Sequence, residues 1–241
     1  MSGHSKWATI KRAKGKTDAA RGKVFTKIGR EIAVAVRAGG ADPNQNARLR
    51  DVIAKAKAAN MPNDNIFRGI KKAAGEEGAV NYETIVYEGY GPDGVAVIVE
   101  TLTDNKNRTA GEVRHIFDKS GGAMGTNGCV SYMFETKGVI LVEKTPKLTE
   151  DAVMMDALDA GAEDFSDAGD AFEVLTAPAD FTAVREALEA KKYAFVSAAV
   201  ERVPSAYVKV QNTEKFTRML DQFDENDDVQ EVYHNAEEEA E

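Results

Sequence analysis

Residues 139–204 read VILVEKTPKLTEDAVMMDALDAGAEDFSDAGDAFEVLTAPADFTAVREALEAKKYAFVSAAVERVP. Residues 139–143 and 195–203 are short apolar runs rich in Val, the mark of strands. Residues 149–160 open on Thr149, a capping residue, and continue with helical spacing. Residues 163–165 and 172–176 read as two further short strands, and residues 181–190 as a second helix. The resulting order is βαββαβ, the split βαβ or ferredoxin-like pattern. Pro204 closes it, because proline ends ladder pairing.

On either side of this module the chain carries material that belongs together. Residues 83–90 and 95–102 are strand-like and are joined by Gly91-Pro92-Asp93-Gly94, which predicts a β-hairpin. Thr109-Ala110-Gly111-Glu112 is a capping-box pattern. It predicts a helix to residue 120, with Val113, Ile116 and Phe117 inward. A strand is expected at residues 130–134. After Pro204 a strand at 207–210, a helix at 213–223 and a strand at 229–233 can rejoin the hairpin, which makes the βαββαβ module an insertion.

Residues 1–75 lack strand patterning. Phe25, Ile28, Ile32 and Val36 form an apolar stripe at helical spacing. Lys23, Lys27, Arg30 and Arg37 follow on the opposite face. Gly39-Gly40 stops this helix. Asp42-Pro43, with Gln45 to complete a capping box, predicts the start of a second, with Leu49, Val52, Ile53 and Ala56 inward. Asn60-Met61-Pro62-Asn63 breaks it. A third helix then has Ile66, Phe67 and Ile70 inward and ends near Gly75. Residues 75–80 read as a hinge. The expected fold is α+β: an N-terminal three-helix domain (1–77), a middle α+β domain (78–136 plus 205–241), and a ferredoxin-like domain (137–204) inserted into the middle one.

Charge is divided unevenly along these 241 residues of net charge -9. Residues 1–75 hold 17 Lys/Arg against 5 Asp/Glu, a net of +12; the remainder carries -21. Such segregation points to a polyanionic partner. Residues 2–16 are basic and interrupted by glycine, with Trp7 as an aromatic beside cations. That combination suits single-stranded or looped nucleic acid. The short helix joints equally permit a helix-turn-helix crossing on duplex DNA. The expected nucleic-acid contacts are Lys6, Trp7, Lys11, Arg12, Lys14, Lys16, Arg21, Lys23, Lys27 and Arg30. Lys106 and Arg108 join them, because Asp104-Asn105-Lys106-Asn107-Arg108-Thr109 lies at a helix N-terminus that can accept phosphate.

Other motifs point away from catalysis. Gly89-Tyr90-Gly91-Pro92-Asp93-Gly94 matches G-x-G-x-x-G, but a strand follows it and Pro92 has no amide hydrogen, so it reads as a hairpin turn and not a dinucleotide site. Residues 121–128, GGAMGTNG, contain two GxxG spacings that allow close backbone approach; they read as a helix stop followed by a mobile loop. His4, His115 and His234 are scattered, and Cys129, the one cysteine, is expected to be buried at the start of a strand. Asp156 and Asp159 sit on a helix face that reads as solvated. No catalytic group, metal or cofactor is expected, and no small-molecule substrate. A single cysteine and the absence of an apolar span or secretory leader lead to a cytoplasmic setting with no membrane partner.

Several strings resemble the YebC family: Gly3-His4-Ser5-Lys6-Trp7, Arg21-Gly22-Lys23-Val24-Phe25-Thr26-Lys27-Ile28, Asp42-Pro43, Arg48-Leu49-Arg50 and Tyr87-Glu88-Gly89-Tyr90-Gly91-Pro92. Thr103-Asp104-Asn105, Asn107-Arg108-Thr109, Glu112-Val113-Arg114-His115 and the glycines of residues 121–128 extend the likeness. Ala123-Met124 departs from it, standing where Asn-Leu is more usual. The resemblance implies the three-domain arrangement and a non-enzymatic regulator of gene expression. Bacterial members are described as DNA-binding transcriptional regulators. Mitochondrial relatives are translational activators, and some bacterial members are similar to ribosome-associated translation factors. The expected partner is therefore DNA, with ribosomal RNA as the alternative.

Overall fold

The computed structural model describes residues 18–75 and 80–237, with side chains from residue 22 onward. The described chain forms two compact units. One holds residues 18–131 and 210–234; the other holds residues 132–209 and 235–237 and interrupts the first in sequence.

In the first unit, helix α1 (Asp18–Gly39) is followed by α2 (Ala47–Ala58) and α3 (Asn63–Ala74). Their shared core is the expected stripe: Ile28, Ile32 and Val36 from α1 meet Leu49, Val52 and Ala56 from α2, with Met61 and Ile66. Burying such side chains contributes about 1.5–3 kcal/mol each. Two expectations fail here. Helix α2 starts later than Asp42-Pro43, because Asn46 is its cap. Asn46 accepts from the Leu49 amide at 3.0 Å while its own amide nitrogen donates to the Ala35 and Gly40 carbonyls. One buried side chain thus ends α1 and begins α2. Asp42 instead accepts from the Asn44 amide in a local turn. The second failure is Phe67, which is 69% exposed. Ile66, Ile70 and Ala73 supply the packed stripe of α3, and Phe67 lies about 100° around the helix from Ile66.

The same unit carries a four-stranded sheet. Strand β1 (Glu83–Tyr90) pairs antiparallel with β2 (Ala96–Thr103), Glu83 opposite Thr103 and Tyr90 opposite Ala96. The connecting Pro92–Gly94 turn places Asp93 and Gly94 at positive φ. Asp93 accepts from the Gln211 and Asn212 amides, 2.9 Å each, so the turn is anchored to the returning chain. Strand β3 (Ala123–Met124) flanks β1, and β9 (Val229–His234) flanks β2, giving the order β3-β1-β2-β9. Helices α4 (Lys106–Lys119) and α7 (Thr213–Glu225) also belong to this unit; Phe117 and Phe223 meet edge to face at 5.3 Å. Helix α4 begins one turn before the expected capping box because Asn105 caps it, accepting from the Arg108 amide. The strand expected at residues 130–134 is displaced: a 3-10 turn occupies Ser131–Met133, and the next strand opens at Phe134.

The second unit contains the βαββαβ run: β4 (Phe134–Glu143), α5 (Glu150–Asp159), β5 (Asp164–Asp167), β6 (Ala171–Thr176), α6 (Phe181–Ala190) and β7 (Phe195–Pro204). The sheet order is β5-β6-β4-β7 with every pair antiparallel. In the module's own count this is 2-3-1-4, the arrangement that split βαβ connections produce. Ile140, Val142, Val153, Phe172, Val174, Val184 and Leu188 fill the space between sheet and helices. Asp156 is less solvated than expected: it accepts from the Lys191 ammonium and the Tyr193 hydroxyl, and these hold its carboxyl below the usual carboxylate range. The strand expected at 207–210 is β8 (Val208–Lys209). It pairs in parallel with β10 (Ala236–Glu237) and not with the hairpin. Among the described residues no helix is long and apolar enough to cross a membrane.

Candidate nucleic-acid interface

Lys6, Trp7, Lys11, Arg12, Lys14 and Lys16 lie outside the described residues, as do His4 and the middle of the 75–80 hinge; the side chain of Arg21 does too. The expected contacts that are described do not form one surface. Lys23 is exposed, and its ammonium donates to the Glu225 carbonyl at 3.3 Å. Lys27 is half-buried and engaged within the protein. Arg30, expected on the wet face of α1, points into the protein. Its guanidinium donates to Asp228 and to the Leu102 carbonyl and lies over the Tyr82 ring at 5.4 Å.

Asp228 is the hub that explains this. It is 3% exposed. Besides Arg30, its carboxylate accepts from Arg108 at 2.8 Å and from the hydroxyls of Thr109 and Thr103 at 2.6 and 3.1 Å. Burial pushes the carboxyl up, but the bonds from Thr109, Arg108 and Arg30 outweigh burial and bring its pKa to about 2. Arg108 also pairs with Asp104 at 2.8 Å, and Asp228 together with Asp104 holds its guanidinium firmly charged. The expected phosphate site at residues 104–109 is thus filled by the protein's own carboxylates. The cleft beside it, about 590 Å³, is lined by Asp104, Glu112, Glu225, Asp227 and Asp228 against Arg30 and Arg108, so acids outnumber arginines there. Of the two basic residues expected there, Lys106 is the one left exposed without a carboxylate partner among the described residues.

Lys55 on α2 is tied down in the same way. It bridges Glu31 at 2.8 Å and Glu231 at 3.1 Å. Burial opposes its charge, and the two carboxylates more than restore it. Cations on the outer faces of α2 and α3 behave differently. Arg48, Lys57, Arg68, Lys71 and Lys72 are exposed and pair with no carboxylate among the described residues. Lys71 and Lys72 stand in the last turn of α3, where the helix dipole also favours positive charge. All five count towards the net +12 of residues 1–75, and none is among the expected contacts. They share the outward cationic surface of the head with Lys23, Arg37 and Arg50, each of which is exposed and donates to a carbonyl oxygen.

The glycine-rich stretch is held and not loose. Glu88 is buried, and its carboxylate accepts from the amides of Gly128, Val130 and Ser131 at 2.8–2.9 Å. Burial raises this carboxyl, and the three amide bonds bring it below its ordinary range. A Cβ on Gly122 would strike the Tyr90 carbonyl, so only glycine lets β3 close on β1 there. Cys129 sits half-buried in this loop, not in a strand, and burial pushes its thiol pKa up. His115 is exposed; His234 is buried edge-on against Phe216 at 5.0 Å. Among the described residues no group of three or more His, Cys, Asp or Glu could hold a metal ion.

Residues 5–76 match the model of the TACO1/YebC protein N-terminal domain, and residues 82–236 match that of the TACO1/YebC second and third domain. A "probable transcriptional regulatory protein" of Acetivibrio thermocellus is 61% identical over 238 residues, 98% of each chain. One from Clostridium beijerinckii is 63% identical over 239 residues, covering 98% of this chain and 97% of that one. The crystal structure of a conserved hypothetical protein from Aquifex aeolicus superposes with a TM-score of 0.84 at 44% identity, covering 94% of both chains.

Proposed function

We propose, from the premise that this chain belongs to the TACO1/YebC family, that it is a non-enzymatic regulator of transcription that grips DNA through its helical head. The names of its bacterial relatives support the regulatory part of this reading. One observation carries the binding part: Arg48, Lys57, Arg68, Lys71 and Lys72 face outward, unpaired with carboxylates among the described residues. An exposed cation with no internal partner can release condensed counterions when it meets a phosphate. The acidic remainder of the chain confines binding to the head and suppresses adhesion elsewhere. Lys6, Lys11, Arg12, Lys14, Lys16 and Arg21 extend the same basic segment in sequence, with Trp7 among them. The protein works in the cytoplasm, where nucleic acid is available to it.

The test is a titration of the full-length protein with duplex DNA at several salt concentrations. Five phosphate contacts predict a log–log slope of about -4.5. Absence of binding at every salt concentration contradicts the reading. Sucrose-gradient sedimentation of cell lysate checks the choice of target. Co-migration with ribosomes that is lost at high salt would move the protein from transcription to translation.

A further inference from the structure

Phe67 is 69% exposed on α3, with Lys71 one turn further along the same face and Arg68 and Lys72 in the adjacent column. Ile66, Ile70 and Ala73 take up the packing side of the helix, so nothing in the head's core requires a phenylalanine at this position. Leaving a ring this size in water forfeits the burial that phenylalanine ordinarily supplies. We propose that Phe67 is a stacking platform for an unpaired base, and that Arg68, Lys71 and Lys72 bind the phosphates flanking that base. The reading rests on nucleic acid being the partner and adds an unpaired base to its phosphate contacts.

The chemistry favours that occupant over others. In a duplex each base face is covered by its neighbours, so a ring on a convex helix surface finds no face to meet; a single strand offers one at every nucleotide. A protein partner fits poorly, because lysine is depleted from the centres of protein interfaces and here two lysines and an arginine surround a single ring. A second copy of this chain would bring like charges together. Asp64 stands in the first turn of the same helix, one turn before Arg68, and is the acid on this face. It places the phosphate track towards the C-terminal half of α3, where Lys71 and Lys72 lie.

The experiment uses the full chain and fluorescence anisotropy with oligo-dT and oligo-U of about 12 nucleotides, alongside a duplex of matched length. Phe67→Ala is expected to weaken both single strands by about tenfold to hundredfold, the loss of one stacked base. Duplex affinity and the salt slope stay unchanged, and Phe67→Trp restores single-strand binding. Lys71→Gln with Lys72→Gln lowers the salt slope for single strands and leaves stacking intact. If wild type and Phe67→Ala bind single strands equally well, the stacking role is overturned while the nucleic-acid reading stands. If Phe67→Ala weakens duplex and single strand alike, the role is also overturned, since no unpaired base is then involved. If the wild-type protein binds none of the probes, the underlying reading fails and this one with it. Preference between oligo-dT and oligo-U separates DNA from RNA.

Discussion

Arg30 on α1 and Lys71 on α3 are both cations of the helical head, one turned inward and one outward. Arg30 meets a buried carboxylate, a carbonyl and a tyrosine ring, and ties the head to the loop before β9. Lys71 meets water beside an exposed phenylalanine. Both side chains are positively charged and both lie off the apolar stripe of their helix. What differs is whether a second element packs against that side of the helix and brings an acid with it. A cation count therefore overstates the outward positive surface.

The inward set should be felt in stability. Asp228→Ala removes the buried carboxylate that Arg30, Arg108, Thr103 and Thr109 share, and is expected to cost about 3 kcal/mol in urea unfolding followed by circular dichroism. A cost below about 1 kcal/mol would show the hub to be incidental. The same cluster sets an acid limb. The folded pKa of Asp228, about 2, lies below the ordinary carboxylate value, so its contribution is full above about pH 4 and is lost as pH falls towards 2. That contribution is about 2 kcal/mol. In Asp228→Asn this part of the acid dependence should vanish, while an unchanged acid limb would assign it to other carboxylates. Glu88→Gln sharpens the picture on the far edge of the sheet. It keeps the shape but weakens three charge-assisted amide bonds, for about 1 kcal/mol. Hydrogen exchange should quicken at Gly128, Val130 and Ser131, and unchanged protection there would mean that the loop is held by its glycines alone.

Much of the fold was legible because its signals are local. The stripe of Ile28, Ile32 and Val36, the hairpin at Gly91–Gly94 and the βαββαβ alternation each depend on periodicity within a dozen residues. Boundaries went astray where a distant side chain decides them. Asn46 caps α2 because it also reaches the end of α1, and Asn105 caps α4 one turn before Thr109, whose hydroxyl lies inside the helix and donates to Asp228. The positive charge of the head was legible in the sequence, and the direction each cation faces was not. Nothing in Asn226-Asp227-Asp228 marks the last aspartate as buried, so Arg30 and Arg108 could not be recognised as its partners. Phe67 was readable: it sits off the Ile66–Ile70–Ala73 stripe and shares a face with Lys71.

The outward set should be almost silent in stability and loud in binding. Arg68→Gln, Lys71→Gln and Lys72→Gln combined should shift unfolding by no more than about 0.5 kcal/mol, as surface changes without internal partners do. The most direct measurement is the salt dependence of DNA binding by the full-length protein and by this triple variant. The account predicts a log–log slope of roughly -4 to -5 for the wild type, flattening by about 2.7 in the variant as three phosphate contacts disappear. Identical slopes for the two proteins would contradict it, because α3 would then carry no part of the interface.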